Sequence, residues 1–326
     1  MRVAPASSGD WDDGVVPQLR IVFAGTPAAA VPTLDRLADS PHHVVGVVTR
    51  PPAPIGRKRV LTPSPVAQAA ERLGIPVIDA QRLDAEATER IAGLRPDLGV
   101  IVAYGGLVRE PLLSTPTHGW INLHFSALPA WRGAAPVQHA LIAGDAELGA
   151  SVFRLVPELD AGDVYAMRTR AVAPGETAGL ALESLAASGA DLVAEVVDAI
   201  ADRTAVAVPQ SGDPTFAPKL TIDDARLDWT RSTAEVDARY RGVTPEPGAH
   251  TDVDGVRLKV LDAAPATAGA DVPRLAPGEL RLVGRRLLAG TGDGALELRR
   301  VQPAGRNAMA AADWWRGLGV ERAVAR

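Results

Sequence analysis

The chain has 326 residues, a net charge of −5, 47% hydrophobic residues and no cysteine. The hydrophobic fraction excludes wholesale disorder, and the length favours two domains. The absence of cysteine excludes disulfides, thiolate zinc sites and a cysteine nucleophile. The acidic balance argues against a general affinity for nucleic acid, although residues 219–326, with 17 basic and 15 acidic side chains, repel a polyanion less than the rest.

Residues 1–19 contain several aspartates and no continuous apolar run, which contradicts a secretory signal. We interpret this stretch as a disordered extension or the product of a misassigned start codon. No run of about 18 apolar residues occurs in the chain, so we expect no membrane-spanning helix, no membrane partner and a cytoplasmic location.

From Arg20 onward, apolar runs of strand length alternate with amphipathic helical segments. Pro27 suits the first position of a helix, because a proline there forfeits no hydrogen bond. Such alternation is typical of a mostly parallel sheet with helices on both faces, so we predict an α/β domain over residues 20–203. The predicted strands are 20–24, 44–49, 98–103, 120–124 and 150–155, and the predicted helices are one from Pro27 and 65–73, 84–94 and 178–202.

A change of pattern follows the last predicted helix of this domain. Residues 204–221 contain three prolines with glycine and serine between them, which predicts a linker between domains. Beyond it, short alternating runs separated by glycine, proline and aspartate predict a small β-rich domain, a barrel, over residues 222–326. The runs are 255–261, 279–283 and 295–301.

The densest cluster of reactive side chains lies in INLHFSALPAWRGAAP, residues 121–136. Asn122 and His124 are two apart on a predicted strand, so they leave its carboxyl end on one face, where open α/β sheets bind ligands. Asp160, in the turn LDAGD, is the next candidate. Together the three would supply a carbonyl polariser, a general acid or charge stabiliser, and a carboxylate that tunes the imidazole. On spacing alone, a capping asparagine, a surface histidine and a turn aspartate remain an open alternative.

Four strings resemble those of the methionyl-tRNA formyltransferases, a branch of the 10-formyltetrahydrofolate-dependent formyltransferase family: RIVFAGTP, VAYG, INLHFSALPAWRGAAP and LDAGD. The Asn-x-His…Asp set is shared by the wider family, whereas RGAAP at 132–136 and TPSPV at 62–66 are more particular to the tRNA enzymes. The similarity extends from about Arg20 almost to the C-terminus. It implies a Rossmann-like catalytic domain followed by an OB-like, tRNA-binding barrel.

The resemblance implies transfer of a formyl group from 10-formyltetrahydrofolate to the α-amino group of methionine on initiator tRNA, in translation initiation. Asn122 and His124 would donate hydrogen bonds to the developing oxyanion, and Asp160 would hold His124 in its useful charge state and accept the amine proton. The implied folate contacts are Val102, Tyr104, Ser126, Ala127, Leu128 and Pro129. The implied tRNA contacts are Arg57, Lys58 and Arg59, in a loop that enters the acceptor end, and Arg306. We expect a monomer without a metal.

The chain departs from the family pattern at four positions, which are Phe125, Ala127, Glu246 and Asn307. Two other functions stay open: a sugar-nucleotide N-formyltransferase, which shares the Asn–His–Asp set, and a folate- or tRNA-binding protein without turnover. A glycinamide ribonucleotide transformylase is disfavoured, because its chain would end near the linker. The basic loop and the RGAAP string favour tRNA.

Overall fold

A computed structural model describes residues 17–56, 59–267 and 273–326 of the chain. Within these ranges the first part of the protein contains nine strands and five α-helices. They are β1 (Arg20–Gly25), α1 (Val31–Ala38), β2 (His43–Thr49), β3 (Ala53–Ile55), β4 (Val60–Thr62), α2 (Pro65–Leu73), β5 (Val77–Asp79), α3 (Ala85–Gly93), β6 (Leu98–Val102), β7 (Trp120–His124), α4 (Pro136–Ala143), β8 (Glu147–Arg154), β9 (Val164–Ala171) and α5 (Ala178–Ala201).

Seven of these strands form one sheet in the order β5–β2–β1–β6–β7–β8–β9. The first five are mutually parallel, and β8 and β9 continue the sheet antiparallel. Two apolar cores cover its two faces, one built with α1, α2, α4 and α5 and the other with α3. The prediction of a mostly parallel, Rossmann-like α/β domain is therefore confirmed.

The ends of the parallel strands meet at one edge of the sheet. The register pairs Gly25, the last residue of β1, with Val102, the last residue of β6, and pairs Val102 with Leu123 of β7. The loops that leave these strands therefore start side by side, which is where parallel sheets place their ligands.

Several local features differ from the sequence prediction, which contains no element for β5, α4 or β9. Pro27 precedes a 3-10 turn at Ala28–Ala30, and the α-helix begins only at Val31. The basic loop after β2 contains a short antiparallel hairpin, β3 with β4. Leu19, which lies in the predicted N-terminal extension, is buried in the core, and its N–H donates to Nδ1 of His42 at 3.2 Å.

The elements of the second part of the chain are α6 (Thr233–Gly242), β10 (His250–Val253), β11 (Val256–Pro265), β12 (Glu279–Val283), β13 (Arg286–Gly290), β14 (Ala295–Pro303), β15 (Met309–Ala310), α7 (Ala311–Leu318) and β16 (Ala323–Val324). The strands form an antiparallel sheet in the order β10–β11–β14–β13–β12–β16, with β15 paired to β14. Asp252 and Arg326 exchange backbone hydrogen bonds of 2.9 and 2.8 Å, which brings Arg326 against β10 and nearly closes a barrel. The predicted β-barrel is confirmed.

The two parts touch through helices α4 and α6. Gly242, at the end of α6, lies so close to α4 that a Cβ there would be 2.5 Å from Cγ1 of Ile142 and 2.7 Å from the carbonyl oxygen of Gln138. Only a glycine permits this approach. No helix in the described part of the chain is long and apolar enough to cross a membrane.

Candidate active site

Strand β7 presents Asn122 and His124 from one face of the first sheet. Its register sets Asn122 between Ile101 of β6 and Phe153 of β8, and sets His124 beside Ser151 of β8. Residues two apart on a strand share a face, so both side chains stand where the parallel strands end. This edge carries the candidate active site.

Asp160 reaches the same edge from the loop between β8 and β9. Its Oδ2 atom lies 3.8 Å from Nδ1 of His124 and accepts the backbone N–H of Gly133 at 2.7 Å. The side chains of His124 and Asp160 are only 7% and 12% exposed. Asp160 has a φ of +44°, a left-handed conformation that aspartate adopts more readily than most residues. The loop therefore holds the carboxylate against the imidazole through an uncommon backbone geometry.

Gly133 is the glycine of the RGAAP string, and the structure explains why this position requires a glycine. Its φ is +125°, and a Cβ at this position would lie 2.6 Å from the carbonyl oxygen of Ala217. A side chain would therefore push the backbone N–H of Gly133 away from Asp160.

His124 carries a proton on Nε2. This nitrogen lies 2.8 Å from the carbonyl oxygen of Trp131, and because a carbonyl only accepts, Nε2 must donate. Burial lowers the pKa of His124, and the Asp160 carboxylate and the hydrogen bond to Trp131 oppose this shift only in part. The lone pair of Nδ1 is consequently turned toward Asp160.

The Oδ1 atom of Asn122 is buried and has no hydrogen-bond partner among the described residues. A buried acceptor without a donor destabilises a protein by about 1–3 kcal/mol. A substrate N–H at this edge would satisfy the atom. Because no described residue fixes Oδ1, either end of the amide can turn toward a substrate, to accept with oxygen or to donate with nitrogen.

The turn after β7 is fastened to β8 by hydrogen bonds. The Oγ of Ser126 donates to the carbonyl of Ala130 at 2.6 Å. The Oγ of Ser151 donates to the carbonyl of Ser126 at 2.7 Å and accepts the N–H of Leu128 at 3.2 Å. Ser126 and Leu128 are buried, so the Ser126 hydroxyl is committed to the turn. The other two predicted folate contacts of this turn are half-buried: Ala127 and Pro129.

Phe125 fills space in the core. It is 6% exposed and belongs to the apolar cluster that also contains Ile121 and Leu123, on the face of β7 opposite Asn122 and His124. This departure from the family pattern therefore lies outside the candidate site.

Val102 and Tyr104 lie where β6 ends, and both are buried. The Tyr104 hydroxyl donates to the carbonyl of Ala80 at 2.8 Å, and burial raises its pKa. Ala103, which lies between these two residues, and Gly105, which follows Tyr104, are exposed and have positive φ. A ligand would therefore meet this segment at Ala103 and Gly105.

The predicted tRNA contacts fall in two separate turns. Arg57 and Lys58 lie outside the described residues, while Arg59 is exposed in the β3–β4 turn. Arg306 is exposed in the turn after β14, on the rim of a cavity of about 290 Å³ that also borders Trp314 of α7. Arg50, at the start of the basic loop, donates to the carbonyl of Gly105 at 2.8 Å.

Gln210 contacts the candidate site although no sequence pattern indicates it. This linker residue donates from Nε2 to the backbone carbonyl of Asp160 at 2.8 Å. A single glutamine in a proline-rich stretch gives no sequence signal for such a role. Within the described ranges, no group of three or more histidine, aspartate or glutamate side chains is arranged to hold a metal ion.

Comparison with known proteins agrees with the fold. The formyl transferase family model matches residues 19–197, and the model of the formyl transferase C-terminal domain matches residues 219–319. The methionyl-tRNA formyltransferase of Leifsonia xyli subsp. xyli is 63% identical over 303 residues, which cover 93% of this chain and 99% of that protein. The enzyme of the same name from Clavibacter sepedonicus is 60% identical over 308 residues, 94% of this chain and 100% of that protein.

Solved structures share the fold at low sequence identity. HypX from Aquifex aeolicus superposes with a TM-score of 0.67 and 18% identity, over 92% of this chain and 48% of that one. An N-formyltransferase from Helicobacter canadensis, in complex with folinic acid and dTDP-3-aminofucose, superposes with a TM-score of 0.66 and 14% identity, over 86% and 99%.

The fold and the matched family models define a formyltransferase. With relatives of this identity along nearly its whole length, the chain belongs to the methionyl-tRNA formyltransferase family.

Proposed function

We propose that this protein transfers the formyl group of 10-formyltetrahydrofolate to the α-amino group of methionine on initiator tRNA, in translation initiation. The observation that carries the proposal is the meeting of Asn122, His124 and Asp160 at one edge of the sheet, in a chain of this family. When bound, 10-formyltetrahydrofolate supplies a formyl group activated for transfer from its N10 atom.

The amine must be neutral to attack, and free α-amino groups have a pKa of about 7.7–8.0. Esterification of the methionine to tRNA lowers this pKa further, so the site needs no strong base. A neutral imidazole with a free Nδ1 lone pair is sufficient, and burial holds His124 in that state. This assigns His124 a proton-accepting role in place of the hydrogen-bond donation that the resemblance implies, because its one N–H already donates to the carbonyl of Trp131.

The proton path follows from the two nitrogens of His124. Nε2 is held by the carbonyl of Trp131, and Nδ1 faces the carboxylate of Asp160. As the amine nitrogen bonds to the formyl carbon, Nδ1 accepts the proton that the amine loses, and Asp160 stabilises the imidazolium. His124 then returns the proton to N10 as the bond between the formyl carbon and N10 breaks.

Asn122 acts on the formyl oxygen, which gains negative charge during attack. Its side-chain NH₂ donates to that oxygen, or its free Oδ1 accepts from the amine and orients it. Removing one oxyanion donor typically slows an enzyme by about 10²–10³. The Asn122→Ala variant is expected to lose rate in this range.

The folate would lie along the turns that follow β6 and β7. Tyr104 and Ser126 have their hydroxyls occupied by backbone carbonyls, so they, with Val102 and Leu128, shape the pocket rather than offer hydroxyls to the ligand. Ala103 and Gly105 are the exposed residues at the end of β6, so the ligand would meet this segment there. The remaining proposed folate contacts are Ala127 and Pro129.

The tRNA would contact the loop that carries Arg57, Lys58 and Arg59 and the C-terminal barrel near Arg306. Cationic side chains neutralise phosphates, and arginine stacks on unpaired bases. We retain residues 20–203 as the catalytic domain, 204–221 as the linker and 222–326 as the tRNA-binding domain, of a monomer that works in the cytoplasm.

The experiment is a formylation assay with radiolabelled 10-formyltetrahydrofolate and three acceptors: initiator Met-tRNA, elongator Met-tRNA and a nucleotide amino sugar. Formylation of the initiator alone is expected. Formylation of the amino sugar alone would replace the proposal with a sugar-nucleotide N-formyltransferase, and no transfer with retained binding would indicate a protein without turnover.

A further inference from the structure

The linker runs between the two loops that build the candidate site and pairs with both. Val208 and Val164, at the start of β9, exchange backbone hydrogen bonds of 2.8 and 2.9 Å. Further on, Arg132 donates its N–H to the carbonyl of Thr215 at 2.9 Å and accepts the N–H of Ala217 at 2.8 Å. One segment thus ties the Asp160 loop to the loop after β7.

Gln210 lies between these two backbone pairings, and its amide bridges the same two loops. Nε2 donates to the carbonyl of Asp160 at 2.8 Å and to the carbonyl of Gly162 at 2.9 Å. Oε1 accepts from Nη2 and Nε of Arg132 at 2.6 and 3.2 Å. Both N–H groups and both lone pairs of the amide are therefore used.

The backbone of the Asp160 loop is also constrained by contacts other than those with Gln210. At Gly162, a Cβ would lie 1.7 Å from the carbonyl oxygen of Arg154, so the loop is pressed against β8 on that side. On the other side, the left-handed backbone at Asp160 persists only where its surroundings enforce it. The amide of Gln210 holds the carbonyl of Asp160 itself and that of Gly162, two residues further on.

We infer that Gln210 is a positioning residue for formyl transfer, which holds the Asp160 carboxylate against His124 from the linker. The inference rests on the proposed function. Gln210 touches neither the imidazole nor the carboxylate, so its effect passes through the backbone of Asp160. A linker residue that merely tethers the second domain would instead affect tRNA binding.

Gln210→Glu separates the two halves of the bridge. One carboxylate oxygen of the glutamate still accepts from Arg132 and forms an ion pair with it. The other oxygen replaces the Nε2 donor, so it repels the carbonyl oxygens of Asp160 and Gly162. The Asp160 loop is released while the linker stays anchored. Gln68→Glu is the matched control, because Gln68 donates from Nε2 to the carbonyl of Pro63 at 2.9 Å, outside the candidate site.

The test is steady-state and single-turnover formylation of initiator Met-tRNA by the wild type and both variants, with thermal unfolding of each. In Gln210→Glu we expect kcat to fall by about 10–10², with KM for tRNA and folate within about twofold of wild type. We also expect the acid limb of the kcat–pH profile to move to lower pH, because the imidazole loses its carboxylate. Gln68→Glu is expected to match the wild type.

A kcat within about twofold of wild type overturns the inference, and so does a loss confined to KM for tRNA. If Gln210→Glu does not fold, Gln210→Met, which has similar length and no charge, takes its place with the same expected results. A wild-type protein that formylates no Met-tRNA overturns the proposed function and this inference with it.

Discussion

One oxygen of the Asp160 carboxylate, Oδ2, faces His124 and also accepts a hydrogen bond from Gly133. Oδ2 lies 3.8 Å from Nδ1 of the imidazole and 2.7 Å from the glycine N–H. The shorter contact fixes the carboxylate, and the longer one leaves Nδ1 without a committed partner. The pair is therefore arranged to stabilise a proton that arrives on His124 during the reaction.

Replacing Asp160 with asparagine removes the charge that opposes the effect of burial on His124. The pKa of His124 is already lowered, with the Asp160 carboxylate acting to raise it, so Asp160→Asn lowers it further. His124 must be neutral to accept a proton, hence the acid limb of the kcat–pH profile moves to lower pH. The weaker base also lowers the plateau of kcat, by about 10².

The measurement is single-turnover formylation across a pH series, with Asn122→Ala as the comparison. That variant is expected to lose rate without moving the acid limb, since it leaves the His124–Asp160 pair intact. An acid limb that stays in place in Asp160→Asn would contradict the proton-accepting role of His124.

Gly133→Ala is expected to lower kcat by about 10² with little change in the KM for folate. The added Cβ would stand 2.6 Å from the carbonyl oxygen of Ala217, so the N–H that holds Asp160 must move. Gly144→Ala is the matched control, because Gly144 has a φ of +81° and open space around its Cβ position. The control is expected to lose about 1–2 kcal/mol of stability and to retain its rate. Equal kcat values for both variants would refute the prediction.

Glu176→Gln is expected to destabilise the fold by about 2–3 kcal/mol at pH 7. The Arg170–Glu176 pair has an N–O distance of 2.7 Å, with side chains 27% and 8% exposed. The hydrogen bond from Arg170 lowers the pKa of Glu176, so this stability is present above the unfolded pKa of about 4.3 and is lost as the pH falls through the folded pKa.

Urea unfolding of both proteins as a function of pH measures this difference, which is expected to shrink under acidic conditions. The exposed Arg168–Glu195 pair supplies the control, and Glu195→Gln is expected to change stability by about 0–1 kcal/mol. A Glu176→Gln difference that persists unchanged at low pH would show that the ion pair is not its cause.

Arg57→Ala is expected to raise the KM for tRNA, to leave folate binding unchanged and to reduce the salt dependence of kcat/KM. Loss of one phosphate contact lowers the log–log slope against salt by about 0.7–0.9. Arg36→Ala is the control, because Arg36 on α1 is ion-paired with Asp191 at 3.2 Å. Unchanged kcat/KM and slope in Arg57→Ala would remove this loop from the tRNA interface.

The sequence predicts those parts of the fold that depend on local pattern. Strand β7 has the predicted bounds because its apolar alternation ends where polar residues and a turn begin. Helix α2 also begins and ends as predicted, since Ser64 caps its first turn and Gly74 ends it in a left-handed conformation. Pro27 is different, because the proline signal suits a 3-10 turn as well as an α-helix.

Other features depend on contacts between distant segments, which no local pattern encodes. Phe125 sits next to His124 in sequence but packs on the opposite face of the sheet. Gln210 meets Asp160 across 50 residues of chain. The proximity of Asp160 to His124 is likewise a product of how β8 returns beside β7.

Formyl transfer at His124 is tested by the single-turnover rates at which the wild type and His124→Ala formylate initiator Met-tRNA, each with thermal unfolding as a check of the fold. We expect rapid transfer by the wild type and a rate lower by about 10² or more in the folded variant. Equal rates for the two proteins, or wild-type transfer to a nucleotide amino sugar but not to Met-tRNA, would contradict this expectation.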